Sequence, residues 1–143
     1  MKTAILFTVA LVASELVSYA ADWPEWGGRA MRNMYSPAKG LPDRFDPGKF
    51  KPNSEEVDLS TTKNVRWVAK LGSQSYGNVT VAGGRIFVGT NNDSPRDKQH
   101  QGDRSILMVF DEKSGEFLWQ LVVPQLKSGK VNDWESLGLL SSP

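Results

Sequence analysis

The distribution of apolar residues predicts four short strands in the second half of the chain. The stretch "NVTVAGGRIFVGT" (78–90) holds two β-rich runs joined at Ala82-Gly83-Gly84, where glycine permits the positive φ of a tight hairpin. The stretch "SILMVF" is apolar on both faces, so this strand is expected to be buried on both. With "EFLWQLVV" after it, the predicted strands are residues 78–82, 85–90, 105–110 and 116–123.

The turn between the last two predicted strands has a clear chemical signature. Asp111 can accept backbone N–H bonds at the entrance of the turn, and Gly115 can adopt the left-handed conformation at its end. The sequence "VFDEKSGEFLWQL" (109–121) is therefore predicted to be a hairpin.

A tryptophan-containing strand is predicted to occur twice. The stretch "VRWVAKL" (65–71) is a strand candidate, and its alignment with "LWQLVV" places Trp67 on Trp119. Each is followed by a polar loop, a glycine and a strand of small residues. Four antiparallel strands between two such tryptophans are the size of one β-propeller blade, although a small meander or sandwich fits the pattern equally well.

The region before this pattern is predicted to be an irregular arm, residues 21–64. Proline and glycine are frequent in it, and no stretch keeps a strand or helix period. Its aromatic residues are expected to anchor the arm on a neighbouring surface; they are Trp23, Trp26, Tyr35, Phe45 and Phe50.

The N-terminus is predicted to be a secretory signal peptide, residues 1–20. Lys2 supplies the positive charge, "AILFTVALVA" the apolar core, and Ser18 and Ala20 the small residues of a cleavage site before Ala21. Cleavage one residue later is the alternative, because Glu15 lies between the core and this site. The apolar run is shorter than the roughly 20 residues of a spanning helix, so no stable membrane anchor is expected. The mature protein is expected to be exported, to a periplasm or the extracellular space.

Composition excludes several functions for the chain as given. It has no cysteine, so disulfides, thiol catalysis, c-type haem attachment and cysteine-ligated metals are excluded. There are 17 basic and 16 acidic residues. This balance gives no electrostatic reason to expect nucleic acid or an anionic membrane surface as partner.

These motifs resemble the repeat of the pyrroloquinoline-quinone (PQQ)-like β-propellers, over roughly residues 22–143. The repeat's Asp…Thr/Ser-Gly-x-x-x-Trp pattern corresponds to Asp111, Ser114, Gly115 and Trp119, and "GNVTVAGGRIFVGT" is similar to the opening of such a blade. The resemblance implies an all-β propeller of four-stranded blades in which the 65–143 region forms only about one complete blade. Further blades are therefore expected beyond Pro143.

The family includes quinoprotein alcohol dehydrogenases, which bind PQQ and calcium, and a lipoprotein of the outer-membrane assembly machinery, which binds no quinone. This chain lacks the vicinal cysteine pair of the former and the lipidated cysteine of the latter. The resemblance therefore favours a non-catalytic exported binding or scaffold module without a cofactor. The alternative is the N-terminal part of a PQQ- and calcium-dependent dehydrogenase.

Strand order predicts where a binding site would lie. In an up-and-down sheet, the short turns fall at one end, and the long connections 72–77, 91–103 and 124–137 fall at the other. Loops carry function more often than strands, so this long-loop face is the candidate surface for a protein, peptide or glycan. Its polar and aromatic residues are Tyr76, Asn78, Asn91, Asn92, Arg96, His100, Asp133 and Trp134.

No catalytic or metal-binding residue is predicted. His100 is the single histidine and lies among charged loop residues, and "NNDSPRD" does not have the spacing of an EF-hand loop. Trp67 and Trp119 are expected to pack between adjacent sheets rather than to bind a ligand.

Overall fold

The computed structural model of this chain describes residues 22–125 and 136–143. This part is all-β, with one short 3₁₀ helix at Leu59–Thr61. The strands, in chain order, are β1 Lys49–Phe50, β2 Val57–Asp58, β3 Thr80–Ala82, β4 Arg85–Asn91, β5 Arg104–Asp111 and β6 Phe117–Pro124. The predicted signal peptide and the residues 126–135 of the last long connection lie outside the described residues.

The principal sheet is a four-stranded antiparallel meander in the order β3-β4-β5-β6. Each strand pairs with its neighbour in sequence, with Val88 opposite Met108 and Met108 opposite Gln120. A bulge next to Val109 leaves Leu118 without a partner in the ladder. The four predicted strands are thus confirmed, with ends that differ by one or two residues.

The two short turns lie side by side at one end of this sheet. Gly83 and Gly84 both have positive φ, as their hairpin requires. In the other turn, Asp111 accepts hydrogen bonds from the backbone of Lys113 and Ser114. The Glu112 N–H then donates to the Gly84 carbonyl at 3.0 Å and joins the turns, which confirms the predicted placement.

The core lies on one face of the sheet, here called the core face. Four buried side chains form it: Val88, Ile106, Met108 and Phe110. The partly buried side chains of Ala69 and Leu71 pack over them. On the opposite face, Val109 is fully buried as well. Burial of β5 from both sides explains why its sequence is a continuous apolar run instead of an alternation.

Residues 136–143 cover part of that opposite face. Leu139 donates its N–H to the Thr90 carbonyl, and its backbone lies so close to Gly89 that a Cβ there would be 2.5 Å from the Leu139 oxygen. Gly77 is similarly close to the carbonyl of Ser141. The segment that follows the sheet therefore covers the β4 part of this face, whereas Trp119, Leu121 and Val123 of β6 stay partly exposed on it.

The prediction of a strand at residues 65–71 is wrong. Exposure alternates along this segment as in a strand, with Trp67, Ala69 and Leu71 turned towards the core face. Among the described residues, however, no backbone group of residues 65–71 bonds to a neighbouring strand. Alternation predicts which side chains are buried, but a ladder also needs a partner strand alongside.

The N-terminal arm is more ordered than its sequence predicts. β1 and β2 form a small hairpin in which Phe50 lies opposite Val57. Trp23 bridges to Val81, adding one residue pair to the outer edge of β3. The expectation that all the arm's aromatic rings act as anchors is wrong, since four are mostly exposed; these are Trp26, Tyr35, Phe45 and Phe50.

Candidate functional site

The long-loop face is held together by one buried amide, that of Asn91 at the end of β4. This side chain is 1% exposed. Its Oδ1 accepts from the Ser73 N–H at 2.9 Å, and its Nδ2 lies 3.0 Å from Asp93 Oδ2 and 2.6 Å from the Ser136 carbonyl oxygen. Asn91 thus bonds to Ser73, Asp93 and Ser136, one residue from the described part of each long connection.

The first long connection runs alongside the end of β4. Thr90 is fully buried; its hydroxyl donates to the Gln74 carbonyl at 2.8 Å and accepts from the Gly72 N–H at 3.0 Å. A Cβ on Gly72 would overlap the side chain of Asn91. A glycine is therefore required at 72 for the connection to approach the strand this closely.

The second long connection is closed by Asn92. Its buried amide donates to the carbonyls of His100 and Gly102, at 2.8 and 3.0 Å. Near the loop's end, Asp103 Oδ2 accepts from the Ser136 N–H at 3.0 Å. The loop therefore has a defined shape and is tied to the connection that follows β6.

The predicted site residues separate into different roles. Asn91 and Asn92 are buried, so they shape the surface and cannot touch a ligand directly. Tyr76 and Asn78 are exposed, and His100 is partly exposed. Asp133 and Trp134 lie outside the described residues.

Arg96 points away from the loop end towards the aromatic edge of the core face. Its guanidinium carbon lies 4.7 Å from the ring centroid of Phe117 and 5.6 Å from that of Phe110. Its Nη2 donates to the Lys70 carbonyl at 2.8 Å. This cation–π and hydrogen-bond geometry makes Arg96 a link between the loop and residues 65–71.

His100 takes part in a local turn. Its N–H donates to the Asp97 carbonyl at 3.1 Å, and its Nε2 lies 3.7 Å from Asp97 Oδ2. Within residues 22–125 and 136–143, no group of three or more histidine or acidic side chains is placed to hold a metal ion.

A groove of about 1150 Å³ opens beside the long-loop face. It runs between the β1–β2 hairpin and residues 68–73, and its end is formed by Ser73, Asp93 and Ser94. Apolar side chains line it; they include Phe50, Val57, Leu59 and Val68. No sequence pattern predicts this groove, because its walls come from parts of the chain that are far apart.

The charges around this groove are arranged in pairs with an acidic excess. Lys70 contacts Glu55 at 2.9 Å, and Lys51 contacts Glu56 at 2.8 Å. The hydrogen bond from each lysine holds the pKa of its glutamate below the usual range. Both carboxylates therefore stay ionised at neutral pH. Among the described residues, the lining holds three acidic side chains, Glu55, Glu56 and Asp93, and one basic side chain, Lys70.

The residues of the repeat motif are concentrated at the opposite end. Asp111 and Ser114 shape the turn, and the Trp67 ring lies directly over Gly115 and 6.4 Å from the Phe110 ring. Trp119 is different: its ring meets Phe87 edge to face but is largely exposed. Of the two aligned tryptophans, Trp67 therefore has the more extensive contacts.

Comparisons with protein-family models, with curated proteins and with solved structures found no match to this chain. In the described part of the chain, no helix has the length and apolar character needed to cross a membrane. The assignment that the structure itself supports is an all-β protein built on a four-stranded antiparallel sheet.

Proposed function

We propose that this chain is an exported PQQ-like β-propeller repeat protein that acts as a non-catalytic binding module through its long-loop face. The propeller assignment is supported by the four-stranded meander and by the Asp111–Gly115 turn beneath Trp67. A blade of a propeller is a four-stranded sheet of this kind.

The observation that carries the binding role is the Asn91 network. Recognition is more favourable when the binding surface is already ordered, because less conformational entropy is lost on association. Asn91 and Asn92 bond the described loops from within, and Tyr76 of the first connection is exposed. The adjacent groove adds apolar contact area with polar groups in its lining, a combination typical of ligand sites.

The expected ligand is an extended peptide or a glycan, because either can follow the groove onto the loop surface. Phe50 and Val68 would contact its apolar parts, and the acidic excess favours a neutral or cationic ligand over an anionic one. No cofactor is required for this role.

The test is selection of ligands from peptide libraries and glycan arrays on the full chain, followed by affinity measurements on matched variants. Phe50→Ser in the groove is compared with Phe45→Ser outside it, since these rings are 67% and 70% exposed. Tyr76→Ser is compared with the similarly exposed Tyr35→Ser. We expect Phe50→Ser or Tyr76→Ser to weaken binding about tenfold, the effect of ~1.4 kcal/mol, with the controls unchanged.

A selected ligand whose affinity is the same for all four variants would contradict a site on this surface. Addition of PQQ and Ca²⁺ serves as a separate arm of the experiment. Stoichiometric quinone absorbance with alcohol-dependent dye reduction would support the dehydrogenase alternative in place of the binding module.

A further inference from the structure

Two Asn-x-Ser/Thr triplets occur in the chain, and the structure places their asparagines in opposite environments. The triplets are Asn78-Val79-Thr80 and Asn92-Asp93-Ser94, neither with proline in the middle. This triplet is the acceptor pattern for N-linked glycans in exported proteins. Because a glycan is bulky and hydrated, only an asparagine whose amide reaches solvent can carry one in a folded chain.

Asn78 meets this requirement. It is exposed and lies just before β3, which begins at Thr80. Its backbone N–H donates to the Ser142 hydroxyl at 3.2 Å, whereas its side-chain amide has no hydrogen-bond partner within the described part of the chain. A sugar attached to Nδ2 of Asn78 would therefore break no hydrogen bond of the described structure.

Asn92 does not meet the requirement. It is 6% exposed, and its Nδ2 donates to the carbonyls of His100 and Gly102, at 2.8 and 3.0 Å. A side-chain amide has two N–H bonds, and both are used here. Attachment of a sugar replaces one of them, so it would remove a buried hydrogen bond and place a glycan inside the closed loop. A glycan at Asn92 is therefore incompatible with this fold.

We propose that the folded, exported protein carries an N-linked glycan at Asn78 and leaves Asn92 unmodified. The partner is an oligosaccharyltransferase, and the donor is a lipid-linked oligosaccharyl pyrophosphate. A bond forms between Nδ2 of Asn78 and the anomeric carbon of the first sugar, and the bond from that carbon to the pyrophosphate oxygen breaks. The lipid pyrophosphate leaves, and one amide proton passes to a base of the transferase. The proposal rests on export, which is part of the proposed function.

The burial of Thr80 determines when the transfer can occur. The acceptor pattern includes the hydroxyl of the third residue as well as the asparagine. Thr80 is 2% exposed and lies opposite Phe87 in the β3–β4 ladder, so the folded sheet hides this hydroxyl. Transfer therefore precedes the pairing of β3 with β4 and takes place on the chain as it enters the exporting compartment. The glycan then remains on the exposed Asn78 after the sheet has formed.

The test is translation of the full chain into eukaryotic microsomes, which contain the transferase and its donor. An established secretion leader is placed before Met1, so that import does not depend on residues 1–20. Protection from added protease verifies import of each variant. The imported chain is expected to gain one glycan, seen as a shift in mass that a peptide N-glycosidase reverses.

Four variants assign the glycan to its residue. Asn78→Gln and Thr80→Val should abolish the mass shift; valine has nearly the shape of the buried threonine but lacks the hydroxyl. Thr80→Ser keeps the hydroxyl and should keep the glycan. Ser94→Ala removes the second triplet without changing the Asn92 amide, and should leave one glycan on the chain.

An imported chain without a glycan, a mass shift that persists in Asn78→Gln, or a glycan on Asn92 of the folded protein overturns the proposal. The timing has its own measurement: folded chain from a host without the transferase should gain no glycan when transferase and donor are added. Equal modification of folded and newly imported chain overturns the early transfer. Import directed by residues 1–20 alone is scored in a parallel reaction, so failure of export is distinguishable from failure of Asn78 as the acceptor.

Discussion

The indole Nε1 of Trp67 donates a hydrogen bond to the carbonyl oxygen of Glu112 at 3.0 Å, across a separation of 45 residues. The same ring covers Gly115 and stacks near Phe110. Residues 65–71 lack a strand ladder in the described structure, so this one side chain supplies much of their attachment to the sheet.

Substitution of Trp67 separates the hydrogen bond from the packing. Trp67→Phe should lower the free energy of unfolding by about 1 kcal/mol, mainly through loss of the bond to Glu112. Trp67→Ala should lower it by about 3–5 kcal/mol, because the packing over Gly115 and Phe110 is lost as well. Urea unfolding measures both, and Trp26→Ala, at a largely exposed ring, should change stability by less than about 0.5 kcal/mol. If Trp67→Ala lowered the free energy of unfolding no more than Trp26→Ala does, residues 65–71 would not be docked on the sheet.

Gly115 is subject to two constraints, a left-handed backbone and the Trp67 ring above it. Gly84 is subject to the first of these alone. Their φ angles are +74° and +73°, but a Cβ on Gly84 has no atom within 4 Å, whereas on Gly115 it would overlap the Trp67 ring. Gly84→Ala should therefore cost about 1–2 kcal/mol from left-handed strain alone. Gly115→Ala should cost about 2 kcal/mol more, because the ring must move. Thermal unfolding measures both variants. An equal loss of stability in Gly84→Ala and Gly115→Ala would mean that Trp67 does not contact this turn.

Asn91 is expected to stabilise the fold and to order the loops. Asn91→Ala removes buried bonds to Ser73, Asp93 and Ser136, and should lower the free energy of unfolding by about 1–3 kcal/mol. Hydrogen exchange at the Ser73 and Ser136 amides should accelerate in the folded protein. The exposed Asn78→Ala should leave both unchanged, and unaltered exchange at Ser73 in Asn91→Ala would contradict the role of the network.

The Asp111 turn makes a small contribution to acid sensitivity. The backbone N–H and the hydroxyl of Ser114, with help from Lys113, hold the pKa of Asp111 below its ordinary value of 3.8. Because the folded pKa is the lower one, the stabilisation is fully present above about pH 4 and is lost as the pH falls through the folded pKa. Ser114→Ala should raise the pKa of Asp111 towards 3.8, as measured by carboxyl NMR titration.

The N-terminal arm offers a matched control for the Ser114→Ala titration. The Ser60 hydroxyl donates to Asp58 at 2.7 Å and, with the Ser60 N–H, lowers the pKa of that carboxyl. Ser60→Ala should therefore raise the pKa of Asp58 and leave Asp111 unchanged. A Ser114→Ala variant in which Asp111 titrates as before would show that the hydroxyl does not favour the carboxylate.

The sheet could be predicted because its signals are local. Gly83-Gly84 and the Asp111–Gly115 pattern each specify a turn within a few residues, and the apolar run of β5 indicates burial on both faces. The β1–β2 hairpin could not be predicted, because strands of two residues are too short to show a period.

The buried role of Asn91 in the candidate site could not be predicted, because it depends on contacts that are distant in sequence. An asparagine at the end of a strand has the same sequence signature whether it faces solvent or bonds loops from within, and Asn91 does the latter. That role depends on Ser73 and Ser136, which lie 18 and 45 residues away. The groove likewise depends on where the arm hairpin lies, which no local pattern specifies.

The nearest-neighbour order of the strands also has a consequence for folding kinetics. β3 to β6 can form by successive closure of loops of 2, 12 and 5 residues, whereas residues 65–71 must close a loop of 45 residues to bring Trp67 onto Glu112. The meander is therefore expected to be formed at the rate-limiting barrier, with the Trp67 segment joining it afterwards. Stopped-flow measurements should then show that Trp67→Phe accelerates unfolding and leaves the refolding rate nearly unchanged.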